Sequence, residues 1–137
     1  MGIVLDSSVA IASERRGDNV AKLLKLIFAA TGDQEAVLSA IGLTELVHGI
    51  YRAQTPEIRA RRELFIHELL VNVEVYAFTQ ETALLAGKID GEQQARGITV
   101  PFSDLLIGAT ALLHGYSVLT VNVRDFRKIP GLSVLSL

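Results

Sequence analysis

The sequence predicts an α/β domain, a parallel sheet with helices on both faces. Three observations carry that prediction. Ile3-Val4-Leu5 is short, branched and apolar throughout, as strands buried on both faces are. Apolar segments of helical period alternate with such runs along the chain, and glycines punctuate the connections. At 137 residues the chain suits one domain, spanning 1–137, that can bury a sizeable core without staples.

Taken in order, the first strand stops at Asp6, and Ser7 or Ser8 can cap a helix through Val9, Ala10, Ile11 and Ala12 to Arg15-Arg16-Gly17. A second helix starts at Asp18, with Val20, Leu23, Leu24, Ile27 and Phe28 at helical spacing, and Thr31-Gly32-Asp33 closes it. Ala36-Val37-Leu38-Ser39 reads as a strand, followed by a helix from about Leu43 to Arg52 and a turn at Thr55-Pro56. Pro56 suits the first turn of the next helix, which carries Arg59, Arg61 and Arg62 and the apolar Leu64, Leu69 and Leu70. Val71 to Phe78 alternates like a strand, and Thr79 caps a long helix ending at Arg96-Gly97. From Ser103 the pattern is helical as far as His114-Gly115, a basic last turn with a glycine stop. Tyr116–Val121 reads as a strand, Asn122 begins a short turn or helix, and Leu132–Leu135 is the last strand.

Composition narrows the chemistry. Thirteen Lys and Arg stand against 15 Asp and Glu, a formal net charge of −2, which excludes a strongly basic nucleic-acid coat protein. Half the residues are hydrophobic and 20% charged, so the chain as a whole is not disordered. There is no cysteine, so disulfides, thiolate metal sites and a cysteine nucleophile are excluded together. Met1-Gly2-Ile3-Val4-Leu5-Asp6 lacks the basic start of a secretory signal, and no apolar run approaches the ~18 residues of a membrane span. The expected compartment is the cytoplasm, with no membrane partner.

Ligands of open parallel sheets sit beyond the carboxyl ends of the strands, where the strand order reverses. Asp6 follows the first strand, and Asn122 and Asp125 follow the strand ending at Val121. Glu45 and Asp104 stand near the starts of otherwise apolar helices. Acids in apolar surroundings are costly unless a cation or hydrogen-bond donors meet them. Each also has a plainer reading. Asp6 suits a helix N-cap, Asp104 a helix first turn, Asp125 the first turn behind an Asn122 cap, and Glu45 a solvated helix face. Only the set makes a site, a hard-oxygen one suited to Mg²⁺ or Mn²⁺ and to metal-assisted phosphodiester cleavage.

Four motifs, in order and spacing, resemble one family: Leu5-Asp6-Ser7-Ser8, Thr44-Glu45-Leu46 with Gly49 and Arg52, Asp104-Leu105-Leu106-Ile107-Gly108-Ala109-Thr110-Ala111 leading to Gly115, and Thr120-Val121-Asn122-Val123-Arg124-Asp125-Phe126. Nearly the whole chain resembles a PIN-domain ribonuclease, specifically a VapC-type toxin of a toxin–antitoxin pair. The resemblance implies a three-layer fold with a parallel sheet of about five strands, and an Mg²⁺-dependent endoribonuclease for which Mn²⁺ can substitute. It makes Asp6 and Asp104 the primary metal ligands, while Glu45 supports the metal or orients a water. Asp125 completes the ring, directly or through water, and Ser7 and Asn122 hold the ring by hydrogen bonds. It further implies an RNA substrate, a homodimer and a small VapB-type antitoxin that enters the acidic groove.

A counterpart for the antitoxin lies in Leu46, Ile50, Tyr51, Ile58, Leu64 and Phe65 between Leu43 and Leu70, positions that also suit a core. Arg52, seven residues after Glu45 on one helix face, suits an RNA phosphate, an acid partner, antitoxin contact or plain solvent. His48, His67 and His114 are assigned no role. Rival classes fit less well. A phosphatase with Asp6 as nucleophile wants a second acid where Ser8 stands, and a receiver domain wants a lysine at a late strand end, whereas Lys128 follows Asp125-Phe126-Arg127. A non-catalytic PIN-like module would not need all four acids. Fifteen acids less these four leave 11 against 13 bases, so a net charge of −2 conceals an acidic pocket on a mildly basic surface.

Overall fold

In the computed structural model, which describes Met1–Leu137, the chain runs β1 (Gly2–Leu5), α1 (Ser7–Arg15), α2 (Val20–Thr31), β2 (Glu35–Ser39), α3 (Ala40–Tyr51), α4 (Pro56–Asn72), β3 (Glu74–Tyr76), α5 (Gln80–Gln94), α6 (Phe102–His114), β4 (Ser117–Thr120), α7 (Val123–Phe126) and β5 (Val134–Ser136). All five strands pair in parallel in the order β3-β2-β1-β4-β5. The chain builds outward from β1 to β3, then crosses back to place β4 on the other side of β1. The order therefore reverses between the carboxyl ends of β1 and β4.

Alternation along the strands sorts the core into two layers. Ile3, Leu5, Leu38 and Leu119 face α1, α2, α3 and α4 through Val9, Leu23, Leu46 and Leu69. Val4, Val37 and Val118 face α5, α6 and α7 through Ile89, Ile107 and Phe126. β1 is buried at all four residues, which explains why its sequence shows no polar alternation. Gly108 lets α6 lie against the segment after α7, since a Cβ there would run into Ile129. Gly115 closes α6 at φ +69°, with its N–H bonded to the Leu112 carbonyl.

Several expected boundaries move, each for a visible reason. The third helix begins at Ala40 rather than Leu43, because the Ser39 hydroxyl accepts from Gly42 N at 2.9 Å and so caps it. The second starts behind Asn19, whose side chain accepts from Lys22 N at 2.8 Å, while Asp18 turns inward. The strand expected over Val71–Phe78 shrinks to Glu74–Tyr76. α4 continues to Asn72, leaving Val71 on its exposed side, so those alternating apolar residues partly belong to a helix end. The final strand lies at Val134–Ser136 rather than Leu132–Leu135. Thr79 caps α5 as its position suggested, and Thr55, expected only as a turn residue, caps α4.

Candidate active site

The carboxyl ends of β1 and β4 are joined by hydroxyls. Asp6 follows β1, is only 5% exposed, and its backbone N–H donates to the Leu119 carbonyl at 2.9 Å. It occupies the cap position of α1 yet makes no capping bond, which removes the plain capping reading. Neither Ser7 nor Ser8 caps α1 either, since both lie within it. The Asp6 Oδ2 instead accepts from Ser8 Oγ at 2.6 Å and Thr120 Oγ1 at 2.9 Å. Ser8 Oγ in turn accepts from Val121 N, and Thr120 Oγ1 from Asn122 N. One carboxylate oxygen is thereby fixed, leaving Oδ1 without a protein donor.

Glu45, half-buried on α3, is held the same way by two elements. Ser7 Oγ donates to its Oε1 at 2.9 Å and Ser103 Oγ to its Oε2 at 3.2 Å. Asp104, in the first turn of α6, has no hydrogen-bond donor of this kind and is pushed up to about 6. Burial contributes most to that rise, then the charges of Asp6, Asp125 and Glu45 in turn, with Lys128 alone pulling it down. Asp125, on α7, pairs through Oδ1 with Lys128 Nζ at 2.9 Å. The fold thus brings Asp6, Glu45 and Asp125 within electrostatic reach of Asp104, although no three of the acids close on a single point as a preformed cage would.

A family model, "PIN domain", matches residues 3–132. The chain belongs to the PIN-domain family. Among curated relatives of this PIN domain, Ribonuclease VapC1 of Rickettsia felis and Ribonuclease VapC of Rickettsia bellii are each 35% identical to it over 136 residues. In both cases the alignment covers 99% of this chain and 96% of the relative. Its fold superposes on that of VapBC2 from Rickettsia felis bound to a DNA fragment from its promoter, with a TM-score of 0.84 at 20% identity. That match covers 100% of this chain and 99% of the other. The three-layer fold with a five-stranded parallel sheet is therefore that of this family.

Other expected residues of this PIN domain sit as follows. Asn122 is exposed, and its side chain caps nothing. It joins the network through its backbone N–H, so the expected side-chain support comes from Thr120 instead. Arg52 caps the far end of α3 from Ser39, about 10 Å of helix beyond Glu45, exposed and unpaired. Leu46, Ile50 and Phe65 are core residues, at 5–6% exposure, and so present little to a partner, whereas Tyr51 and Leu64 are exposed. His48, His67 and His114 lie at the surface.

Sequence reasoning missed Ser8, Ser103, Thr120 and Lys128. Hydroxyl residues near helix starts have so many local uses that nothing singled these out. Lys128, whose place after Asp125-Phe126-Arg127 does not suit the lysine of a receiver domain, instead pairs with Asp125.

The donor set fits a hard divalent cation. It offers oxygen only, carries more negative charge than its one internal lysine offsets, and exposes free lone pairs on Asp6 and Asp104. The lack of a closed cage is compatible with Mg²⁺, which takes one or two carboxylates and keeps several waters.

Proposed function

We propose that this PIN domain is a divalent-metal-dependent endoribonuclease and the toxin of a toxin–antitoxin pair. One observation carries the reading: Asp6, Glu45 and Asp125, from three separate elements, lie within electrostatic reach of Asp104 near the strand-order reversal, with only Lys128 to offset them. Isolated carboxylates repel a phosphodiester, so such a cluster makes sense only around a metal ion. The names of the relatives, ribonucleases and VapBC assemblies, support the same class of substrate and partner.

Asp6 and Asp104 would hold Mg²⁺, or Mn²⁺ in its place. The bound ion supplies Lewis-acid polarisation of a phosphate oxygen and activation of an attacking water. Ser8 and Thr120 hold Asp6 in one rotamer, so its free Oδ1 is aimed without reorganisation. Ser7 and Ser103 orient Glu45, whose remaining lone pairs position the water that attacks phosphorus as the P–O bond to the leaving nucleoside breaks. Asp125 acts from the rim, tied to Lys128. Asn122 and Arg52, both exposed, are left to contact RNA or antitoxin.

A homodimer and a VapB-type antitoxin belong to the same reading. Phe102 and Leu84 are about 70% exposed on α6 and α5, which suits a face between copies. Tyr51 at the end of α3 and Leu64 on α4, both exposed, suit contact with the apolar face of a small partner's helix. No helix is long and apolar enough to cross a membrane, in keeping with action on cytoplasmic RNA.

Sequencing of RNA ends after brief induction of wild type against Asp6→Asn tests the function directly. New ends in the wild type alone, repeated in vitro with Mg²⁺ and suppressed by chelator, are expected. Equal cleavage by Asp6→Asn, or by wild type in chelator, refutes the proposal.

A further inference from the structure

Lys128 is the one cation in contact with any of the four acids, and its placement is specified from three directions. Its Nζ lies 2.9 Å from Asp125 Oδ1 and donates to the Thr99 carbonyl at 3.2 Å. Its own backbone carbonyl accepts from Gln93 Nε2 at 2.7 Å. Gln93 is buried on α5, and its Oε1 finds no partner, so an orphaned buried acceptor accompanies the arrangement that fixes Lys128. An ordinary surface lysine reaches into solvent; this one is drawn across from the end of α7 to the loop before α6, the segment that delivers Asp104. An ammonium has three donors, and two are used here. The third is unassigned, beside the acids that would hold a metal ion.

The donor count then becomes informative. Asp125 spends Oδ1 on Lys128, and both oxygens of Glu45 already accept from serines. Asp6 Oδ1, both oxygens of Asp104 and Asp125 Oδ2 are left without a protein donor, and of these only Asp125 Oδ2 lies on a carboxylate already paired with a cation. Asp6 and Asp104 suffice for one hydrated Mg²⁺, whereas a second ion beside it would draw on Asp125, where the Lys128 ammonium already stands and would repel it.

We propose that Lys128 supplies the second positive charge of this centre, so that the site takes a single divalent ion and the ammonium meets the scissile phosphate where a second ion would otherwise sit. The inference deepens the nuclease reading and rests on it. Lys128 is then a phosphate-contacting residue, and Thr99 and Gln93 are positioning residues that hold it.

The test counts ions as well as activity. Purified full-length wild type, Lys128→Met, Lys128→Gln and Lys128→Arg are titrated with Mn²⁺ alone, bound ions being counted by electron paramagnetic resonance and calorimetry. RNA cleavage is followed against Mg²⁺ concentration, and melting curves report folding. Wild type and Lys128→Arg are expected to bind one ion, with a simple hyperbolic Mg²⁺ dependence. The two neutral variants should bind a second ion at the freed Asp125. Their cleavage should fall at least tenfold at low Mg²⁺ and recover in part, with a steeper dependence, at high Mg²⁺. Lys128 is about one-third exposed, so its neutral replacements leave no buried void. Two ions in the wild type overturn the proposal. So do neutral variants with unchanged ion count and unchanged Mg²⁺ dependence, whether their activity is full or lowered through a loss of melting temperature. The parent reading fails separately: an Asp6→Asn protein that still cleaves RNA refutes the nuclease itself, whereas an inert Asp6→Asn with wild-type behaviour at Lys128→Met refutes only the role of the lysine.

Discussion

Two buried or half-buried aspartates in this PIN domain meet opposite surroundings. Asp18, at the turn between α1 and α2, is enclosed by partners: Ser13 Oγ at 3.0 Å, Arg16 Nε and Nη2 at 3.1 and 2.9 Å, and Lys22 Nζ at 3.3 Å. Burial pushes its carboxyl up, but the bonds from Ser13, Arg16 and Lys22 prevail and hold it below the usual carboxylate value. Asp104 is held up at about 6 by burial and by three neighbouring acids. The first carboxylate closes a turn; the second is left charged against its neighbours at a cost to the empty fold. The contrast marks Asp104 as the candidate functional carboxylate and Asp18 as a structural one.

The largest effect that separates the two is catalytic. Asp104→Asn or Asp6→Asn is expected to lower RNA cleavage by at least about a thousandfold, the several kcal/mol of transition-state stabilisation that a lost metal ion removes. Far-ultraviolet circular dichroism should stay that of the wild type. Asp18→Asn should leave cleavage intact; if it abolishes cleavage in a folded protein, the division between the two aspartates is wrong.

A smaller loss is expected one layer out. Ser8→Ala or Thr120→Val removes a donor to Asp6 and should weaken Mn²⁺ binding and activity by about 10–100-fold, as loss of a ligand's hydrogen-bond partner does. Calorimetry with Mn²⁺ checks this. Unchanged affinity in both would mean that Asp6 needs no orientation.

Stability against pH gives the subtlest contrast, and the two signs are opposite. Asp104 has its pKa raised, so the native state holds its proton more tightly than the unfolded chain. Metal-free protein should therefore gain stability as pH falls from 7 through 6 toward 4, and Asp104→Asn should capture that gain at neutral pH. Because Asp104 is only half-buried and screened, the gain is about 1 kcal/mol. Asp18, with its pKa lowered, contributes above the ordinary aspartate value and loses that contribution as pH falls below it. The melting-temperature deficit of Asp18→Asn should thus be present at pH 7 and vanish in strong acid. Denaturation of wild type and both variants in chelator from pH 3 to 8 decides both. A rise in wild-type stability from pH 5 to 7 that Asp104→Asn abolishes would contradict the Asp104 sign.

Much of this molecule was legible along the chain because its signals are local. The all-apolar Ile3-Val4-Leu5, the cap at Thr79, Pro56 at a helix start and Gly115 at a helix end each depend on a few neighbouring residues. The four acids were visible because aspartate and glutamate stand out against apolar elements. The edge strand β3 hid partly at Val71–Phe78, where a helix end and a three-residue strand shared one run of apolar residues.

What the sequence by itself determined was the class of fold, the order of its elements and the identity of the acids, since periodicity, capping and residue type are properties of short segments. The tertiary structure alone decided how those acids are held. Ser8 meets Thr120 across 112 residues, Ser7 and Ser103 reach Glu45 across 38 and 58, and Lys128 reaches Thr99 from a helix end. A hydroxyl or an ammonium can satisfy itself with almost any oxygen, so its sequence position does not say which one. Only the crossover that sets β4 beside β1, and the close approach permitted at Gly108, fix the distances that choose among them.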